Sequence, residues 1–502
     1  MLNIKILNII GIILIFLGIS MIPSAMWSFA YSDTFNLSDK EFFDFIAILK
    51  SSGATILTGM FLYLPTIYFK RSNNSELKAR DGFVIVTVGW IMMAVFSSLP
   101  FYLSSSHLTV TNAFFEAMSG LTTTGATILG SSVDKTPDIE DLSKGLLFWR
   151  SFTQFIGGMG IIVFSIAILP LLGIGGVQLF RAEVAGPVAE KITPRVKQTA
   201  KLLWGIYVGF VLFLTLILKV EGMSWFDSLC HSFTTIATSG FSTKTASIAA
   251  FNSSLIEYTI IFFMFLAATS FSLHYLFLSK FKFEYFKDEE FRAYFFILCL
   301  ITFVLFLDIN INGIYNWNLD SIKDSMFTAT SLFTTTGFVT ADYETFPNIS
   351  KMCIFFLFFI GGTAGSTTGA LKLIRSIVVF KYLSYEIKKM IHPKGIYSIK
   401  IGDKVISDNI LKNTLGFYLM YIMIFVFASI AFSSYGMDIE TSISASAASI
   451  GNIGPGLGAI GPYDNWGHFP IGAKWIASFC MLLGRLEIFT VIIIFTKSFW
   501  RV

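Results

Sequence analysis

Thr122-Thr123-Thr124-Gly125, Ala237-Thr238-Ser239-Gly240, Thr334-Thr335-Thr336-Gly337 and Gly451-Asn452-Ile453-Gly454 are four short runs of small and hydroxyl-bearing residues, each ending on glycine. None holds the residues of a metal site or a nucleophile beside its base. What they offer is backbone. Glycine reaches angles by which successive carbonyl oxygens face one axis, and stacked carbonyl rings replace the hydration shell of a permeating cation. Threonine suits the preceding positions, where its hydroxyl completes the lowest ring or bonds locally. One such run is a weak signal. Four in register are a strong one.

The register comes from the elements that carry the runs. A fourteen-residue frame recurs without a gap at 112–125, 227–240, 324–337 and 441–454. Its first residue (Asn112, Asp227, Asp324, Thr441) is of a type that caps helices, and the second (Ala113, Ser228, Ser325, Ser442) is small. The apolar segment inside each frame is too short to span a bilayer. It reads as a re-entrant helix ending near mid-membrane. Its C-terminal carbonyls, carrying about half a negative charge, would favour a cation in a central cavity.

The rest of the 502-residue chain is a membrane protein by composition. It is 54% hydrophobic and 14% charged, with mean hydropathy +0.70, whereas soluble domains carry about 25% charged residues. Ten apolar spans are predicted, at about 5–31, 43–69, 82–104, 143–172, 199–220, 255–280, 292–313, 352–381, 409–435 and 473–498. The first reads as a span rather than a cleaved leader, its apolar stretch being about twice a typical leader core. With the N-terminus cytoplasmic, 25 basic residues fall on that side. Nine fall on the other, Arg150 and Lys474 among them, and Lys50 and Arg485 lie inside spans. The asymmetry puts both termini in the cytoplasm and brings the four short segments in from outside. Lys50 is expected to snorkel. Basic loops this short set topology and argue against nucleic-acid binding. Cys230, Cys299, Cys353 and Cys480 all fall in apolar segments and read as buried free thiols.

The expected fold is an all-α polytopic membrane protein of four parallel span–pore helix–span repeats in pseudo-fourfold arrangement, plus an N-terminal helical pair. The units are 1–80 (accessory pair), 81–180, 181–281 (with its preceding cytoplasmic loop), 282–400 (with an intramembrane loop) and 401–502. The frame glycines at 125, 240, 337 and 454 are separated by two spans each, so every copy keeps one orientation. Gly157-Gly158-Met159-Gly160 is expected to permit close helix approach. Gly361-Gly362-Thr363-Ala364-Gly365-Ser366-Thr367-Thr368-Gly369 is poor helix. Its glycines keep no single spacing, which favours an irregular loop lining a wet cavity over a packing face. Arg485, midway through its span, is expected to face the path. There its charge would tether the loop through the carbonyls and hydroxyls of Thr363, Ser366, Thr367 and Thr368.

These four runs, with their following residues through Thr127, Thr243, Thr340 and Gly458, resemble the filter signatures of the Trk/Ktr/HKT potassium transporter superfamily. So do Arg181-Ala182-Glu183, the stretch from Gly362 to Arg375, and Gly484-Arg485-Leu486-Glu487. The resemblance covers residues 5 to 498. It implies potassium uptake across the bacterial inner membrane, with potassium as cargo at the sixteen run residues and no organic cofactor. It also implies a homodimer in membrane lipid with one pore per subunit, and a TrkA-like cytosolic ring of nucleotide-binding regulatory subunits. A gate under the filter would be built from Gly361, Gly362, Gly365, Ser366, Thr367, Thr368 and Gly369, with Arg485. Two positions depart from the family pattern: Thr238-Ser239 replaces the more usual Ile-Gly, and Ala370 stands where glycine is common. Glycine at all four filter positions is similar to potassium-selective members; serine at the first is associated with sodium transport.

A sodium-permeable pore is the alternative within transport. A membrane-embedded enzyme would need convergent acids, thiols or histidines, and His107, His231, His274, His392 and His468 are scattered. A structural scaffold would have no need of four matched re-entrant segments.

Overall fold

The apolar runs fold as helices because no water competes for their backbone groups in a bilayer. The computed structural model describes residues 4–69, 79–163, 196–402 and 404–501. Among these, strand pairing is confined to two pairs of two-residue strands.

The N-terminal pair comprises α1 (Ile4–Ser20), α2 (Ile22–Ala30) and α3 (Lys40–Phe69). A Cβ on Gly11 would stand 2.7 Å from the Gly59 carbonyl oxygen, and one on Gly59 2.8 Å from that of Gly11, so α1 and α3 cross on bare backbone. Lys50 lies exposed on the outer face of α3. The pair also packs on the first repeat, α1 on α4 (Ala79–Ser97) and α2 on α7 (Lys144–Val163). Between these two lie α5 (Leu99–Leu103) and the short α6 (Val110–Leu121).

The second repeat contains α8 (Val196–Val220), the short α9 (Trp225–Ile236), α10 (Ser254–Ala267) and α11 (Phe271–Lys280). In the third, α12 (Glu289–Ile311) and the short α13 (Leu319–Phe333) precede α14 (Asn348–Leu357). Strands β1 (Ile360–Gly361) and β2 (Leu371–Lys372) then pair in parallel and lead into α15 (Leu373–Ile391). A small antiparallel pairing, β3 (Lys400–Ile401) with β4 (Lys404–Val405), precedes the fourth repeat. That repeat has α16 (Asp408–Ser434), the short α17 (Ile439–Gly451), α18 (Ile471–Arg485), α19 (Phe489–Ile492) and α20 (Lys497–Trp500).

The ten continuous spans are not what the structure contains. Among the described residues, six helices are long and apolar enough to cross a membrane. Two further candidates are bent pairs, by 98° between α10 and α11 and by 110° between α18 and α19. The span expected at 352–381 is interrupted from Phe358 to Ala370, and the one at 143–172 runs beyond the described residues after Val163. At the first bend the Ala268 carbonyl leaves the helix and accepts from both the N–H and the hydroxyl of Thr363, at 3.0 and 3.1 Å. Hydropathy cannot register such a break, because the substitute donor comes from a distant segment. Of the thiols, Cys230 and Cys480 are buried, but Cys353 is half-buried and Cys299 is exposed on α12.

Candidate functional site

The short helices begin three residues or more before their expected caps. The N-caps are Thr109, Ser224, Asn318 and Asp438, and each side chain accepts an N–H from the third helical residue. Asn112, Asp227 and Thr441 are therefore those donors rather than caps, and α13 starts a further turn upstream of Asp324. In α9 the pairing is reciprocal, since the Ser224 hydroxyl also donates to Asp227 at 2.7 Å.

All four helices end alike. The third residue of each run (Thr124, Ser239, Thr336, Ile453) donates its N–H back to the carbonyl five residues earlier, at 2.8–3.0 Å. The second residue (Thr123, Thr238, Thr335, Asn452) is left-handed, with φ of 52°, 51°, 55° and 53°. This is the double-bonded αL ending usually given to glycine. A β-branched residue there costs about 1–2 kcal/mol, so three threonines hold strained backbone in register. With these N–H groups consumed by the helix ends, carbonyl oxygens are what the turns can present to a cation.

The terminal glycines form a closed ring. A Cβ on Gly125 would stand 2.1 Å from the Ser239 carbonyl oxygen, and one on Gly240 2.1 Å from that of Thr336. One on Gly337 would meet Pro455 at 2.7 Å, and one on Gly454 the Gly125 carbonyl at 2.6 Å. Gly125, Gly240 and Gly337 also have φ of 82°, 76° and 77°. Gly454 does not share that conformation, so it is glycine for space alone. Where the chain leaves the ring, a cavity of about 120 Å³ is bordered by all four glycines, with Tyr463 and Asp464.

Side chains that the sequence reading passed over brace this ring. Arg150 and Gln154, four apart on α7, share one face. Arg150, counted on the outer side of the membrane, is buried within the protein. It pairs with Glu116 of α6 at 2.6 Å, donates to the Ser242 carbonyl at 2.8 Å and lies 3.6 Å from the Phe241 ring centre. Glu116 in turn accepts from the Thr127 hydroxyl and the Ile128 N–H. Lys474 is likewise buried, between Asp134, Asn112 and the Gly467 carbonyl, joining repeats four and one. Nothing local marks these residues, because their partners are distant in sequence.

The glycine loop of repeat three lies against the helix-end side of the ring. Gly369 N–H donates to the Thr335 hydroxyl (2.8 Å), Ala370 N–H to the Gly451 carbonyl (2.9 Å), and the Thr367 hydroxyl to the Ile236 carbonyl (3.0 Å). Gly361 and Gly369 are in backbone contact, and Gly362 abuts Ala268. Gly365 has φ of 75°, as has Ala370 at 51°, where a side chain makes the angle costly. Glu290 of α12 ties the loop to the start of α15, accepting from the Ala364 and Ile374 N–H groups at 2.9 Å each.

Arg485, the last residue of α18, is buried and donates to the Thr367 carbonyl at 2.8 Å and the Gly157 carbonyl at 3.4 Å. The loop hydroxyls do not serve it. Those of Thr363 and Thr367 donate to helix-end carbonyls, and that of Ser366 to the Thr363 carbonyl. Glu487 pairs with Arg375 of α15 at 3.0 Å. Gly157 and Gly158 allow close approach, to the Leu121 carbonyl and to Tyr207 with Ala237. Arg181-Ala182-Glu183 lies outside the described residues.

Comparison with known proteins follows the same lines. Residues 54–501 match the family model TrkH, described as cation transport protein. The chain is 37% identical over 502 residues to the Trk system potassium uptake protein TrkH of Vibrio parahaemolyticus, covering 99% of each. It is 38% identical over 497 residues to that of Escherichia coli (strain K12), covering 98% of each. Its fold is similar to the crystal structure of the potassium transporter TrkH from Vibrio parahaemolyticus, with TM-score 0.88, 36% identity and full coverage of both chains.

Proposed function

The chain belongs to the TrkH family of cation transport proteins, a family of transporters rather than enzymes, and on that premise we propose that it takes up potassium across the bacterial cytoplasmic membrane. The four runs act as the selectivity filter and the loop 361–369 as the gate, held by Arg485. The observation that carries this reading is the ring itself. Four glycine-ended turns close on one another at backbone contact, with four helix C-termini converging on them. Such a site offers a partly dehydrated cation oxygen ligands and negative potential without an organic cofactor. Potassium-limited growth of uptake-deficient bacteria expressing the chain tests it. Rescue by potassium with little sodium uptake is expected. Absence of rescue from well-expressed protein in the membrane, or equal uptake of sodium, rejects the reading.

The same reading makes the working unit a homodimer in lipid, with both termini cytoplasmic and a cytosolic nucleotide-binding ring as regulator. The ring would dock on the basic stretch from Lys372 to Lys404, which includes the exposed Lys388 and Lys389 at the end of α15. The other basic stretch, from Arg181 to Lys201, reaches the described residues only with Lys197 and Lys201 on α8. Lys388→Glu/Lys389→Glu is expected to weaken co-purification of that partner about tenfold or more at physiological salt, two reversed charges near an interface being worth over 1 kcal/mol. Unaltered capture would exclude direct contact at these lysines.

A further inference from the structure

We propose that Gln154 is a positioning residue for the ring: its carboxamide holds the second repeat's turn and thereby sets how strictly potassium is preferred over sodium. The proposal rests on the reading of the ring as a filter. Gln154 is fully buried on α7. Its Oε1 accepts from the Ser239 hydroxyl at 2.8 Å and from the Phe241 N–H at 3.1 Å, and its Nε2 donates to the Ser239 carbonyl at 2.9 Å. The Phe241 N–H can only donate, which fixes the amide's orientation and leaves Nε2 facing that carbonyl. One side chain thus grips the residues on both sides of Gly240. The carbonyl it holds is the one against which Gly125 is packed, at the seam between repeats one and two.

The reason this repeat needs an outside brace is visible in its sequence. In repeats one and three, the first and third residues of the run brace each other. The Thr122 and Thr124 hydroxyls lie 2.8 Å apart, as do those of Thr334 and Thr336. Repeat two has Ala237 in the first position, which carries no hydroxyl. Ser239 therefore turns outward from its own run, to Gln154 and to the Thr234 carbonyl at 3.1 Å. The departure Thr238-Ser239 thus directs its hydroxyl at position 239 into the wall, and Gln154 is the group that receives it.

Reversal potentials in mixed potassium and sodium, with flux measured on the same preparations, test the assignment. Gln154→Leu keeps the volume and removes all three bonds; it is expected to lower the potassium-to-sodium permeability ratio about tenfold, the equivalent of about one net hydrogen bond, with sodium flux rising. Gln154→Glu retains both acceptor bonds but turns a carboxylate oxygen toward the Ser239 carbonyl, a repulsive contact, so it is expected to lower the ratio as well. If Gln154→Leu yields no folded protein, Ser239→Ala, which removes one of the three bonds to Gln154 together with the contact to the Thr234 carbonyl, is expected to shift the ratio in the same direction. A selective wild type whose conducting variants keep its ratio overturns the role of Gln154 alone. A wild type that does not prefer potassium overturns the filter reading beneath it.

Discussion

Gly125→Ser is expected to cost the transporter most of its discrimination between potassium and sodium, lowering the permeability ratio by about tenfold or more. Two independent effects act at that position. The added Cβ would lie 2.1 Å from the Ser239 carbonyl oxygen, a backbone atom that cannot rotate away. The φ of 82° adds about 1–2 kcal/mol for any residue with a side chain. The strain is relieved only if the seam between repeats one and two opens, which moves at least one carbonyl away from its companions. A wider, less regular set of oxygens no longer penalises the smaller, more strongly hydrated ion. Reversal potentials give the measurement. An unchanged ratio with currents intact would remove Gly125 from the filter.

The second large effect is expected at Arg485. Its guanidinium bridges the loop at Thr367 and the backbone at Gly157. Among the described residues no carboxylate forms an ion pair with it. Its charge is offset instead by carbonyls, including those at the end of its own helix. Arg485→Ala removes a fixed positive charge from beneath the ring and releases the loop, two changes that both favour cation passage. Basal potassium flux into proteoliposomes holding the membrane subunit alone is expected to rise about tenfold, the loss of one charged hydrogen bond from the closed state being worth over 1 kcal/mol. Deleting Gly365 to Thr367 removes the other half of the contact and is expected to do the same. Selectivity should change little with Arg485→Ala, whose partners at Thr367 and Gly157 lie outside the four runs. If both variants are monodisperse and leak no faster than wild type, the gate lies elsewhere.

Most of what positions this site could be read from one sequence, and the omissions share a cause. The fourteen-residue frame was legible because a short capped apolar segment ending in glycine is a local pattern. The left-handed threonines were not, since residue type argues against that conformation and only the helix-end hydrogen bonds of Thr124, Ser239 and Thr336 impose it. The bend at Ala268 was hidden for a related reason. No proline or glycine marks it, and the groups that donate to the freed carbonyl belong to Thr363. Charge counting could not show that Arg150 and Lys474 are buried, each against an acid distant in sequence, Glu116 and Asp134. Arg485 was noticed because an arginine in an apolar span is expensive. Its carbonyl partner could be narrowed to the glycine loop, but not to Thr367.

The seam between the fourth and first repeats has a consequence for how the protein is made. Asn452 donates to the Thr124 hydroxyl at 3.1 Å across 328 positions of chain. At about 5–20 residues per second, ribosomal synthesis separates these partners by roughly 15 to 65 s. During that interval the first turn is already in the bilayer, with polar backbone that its final neighbour does not yet cover, and such groups are costly in hydrocarbon. The nascent chain must therefore keep its early repeats hydrated or sheltered by the insertion machinery until Asn452 arrives. A chain that stops before Asn452 lacks the fourth turn, and the seam that Gly454 closes against Gly125 is left open.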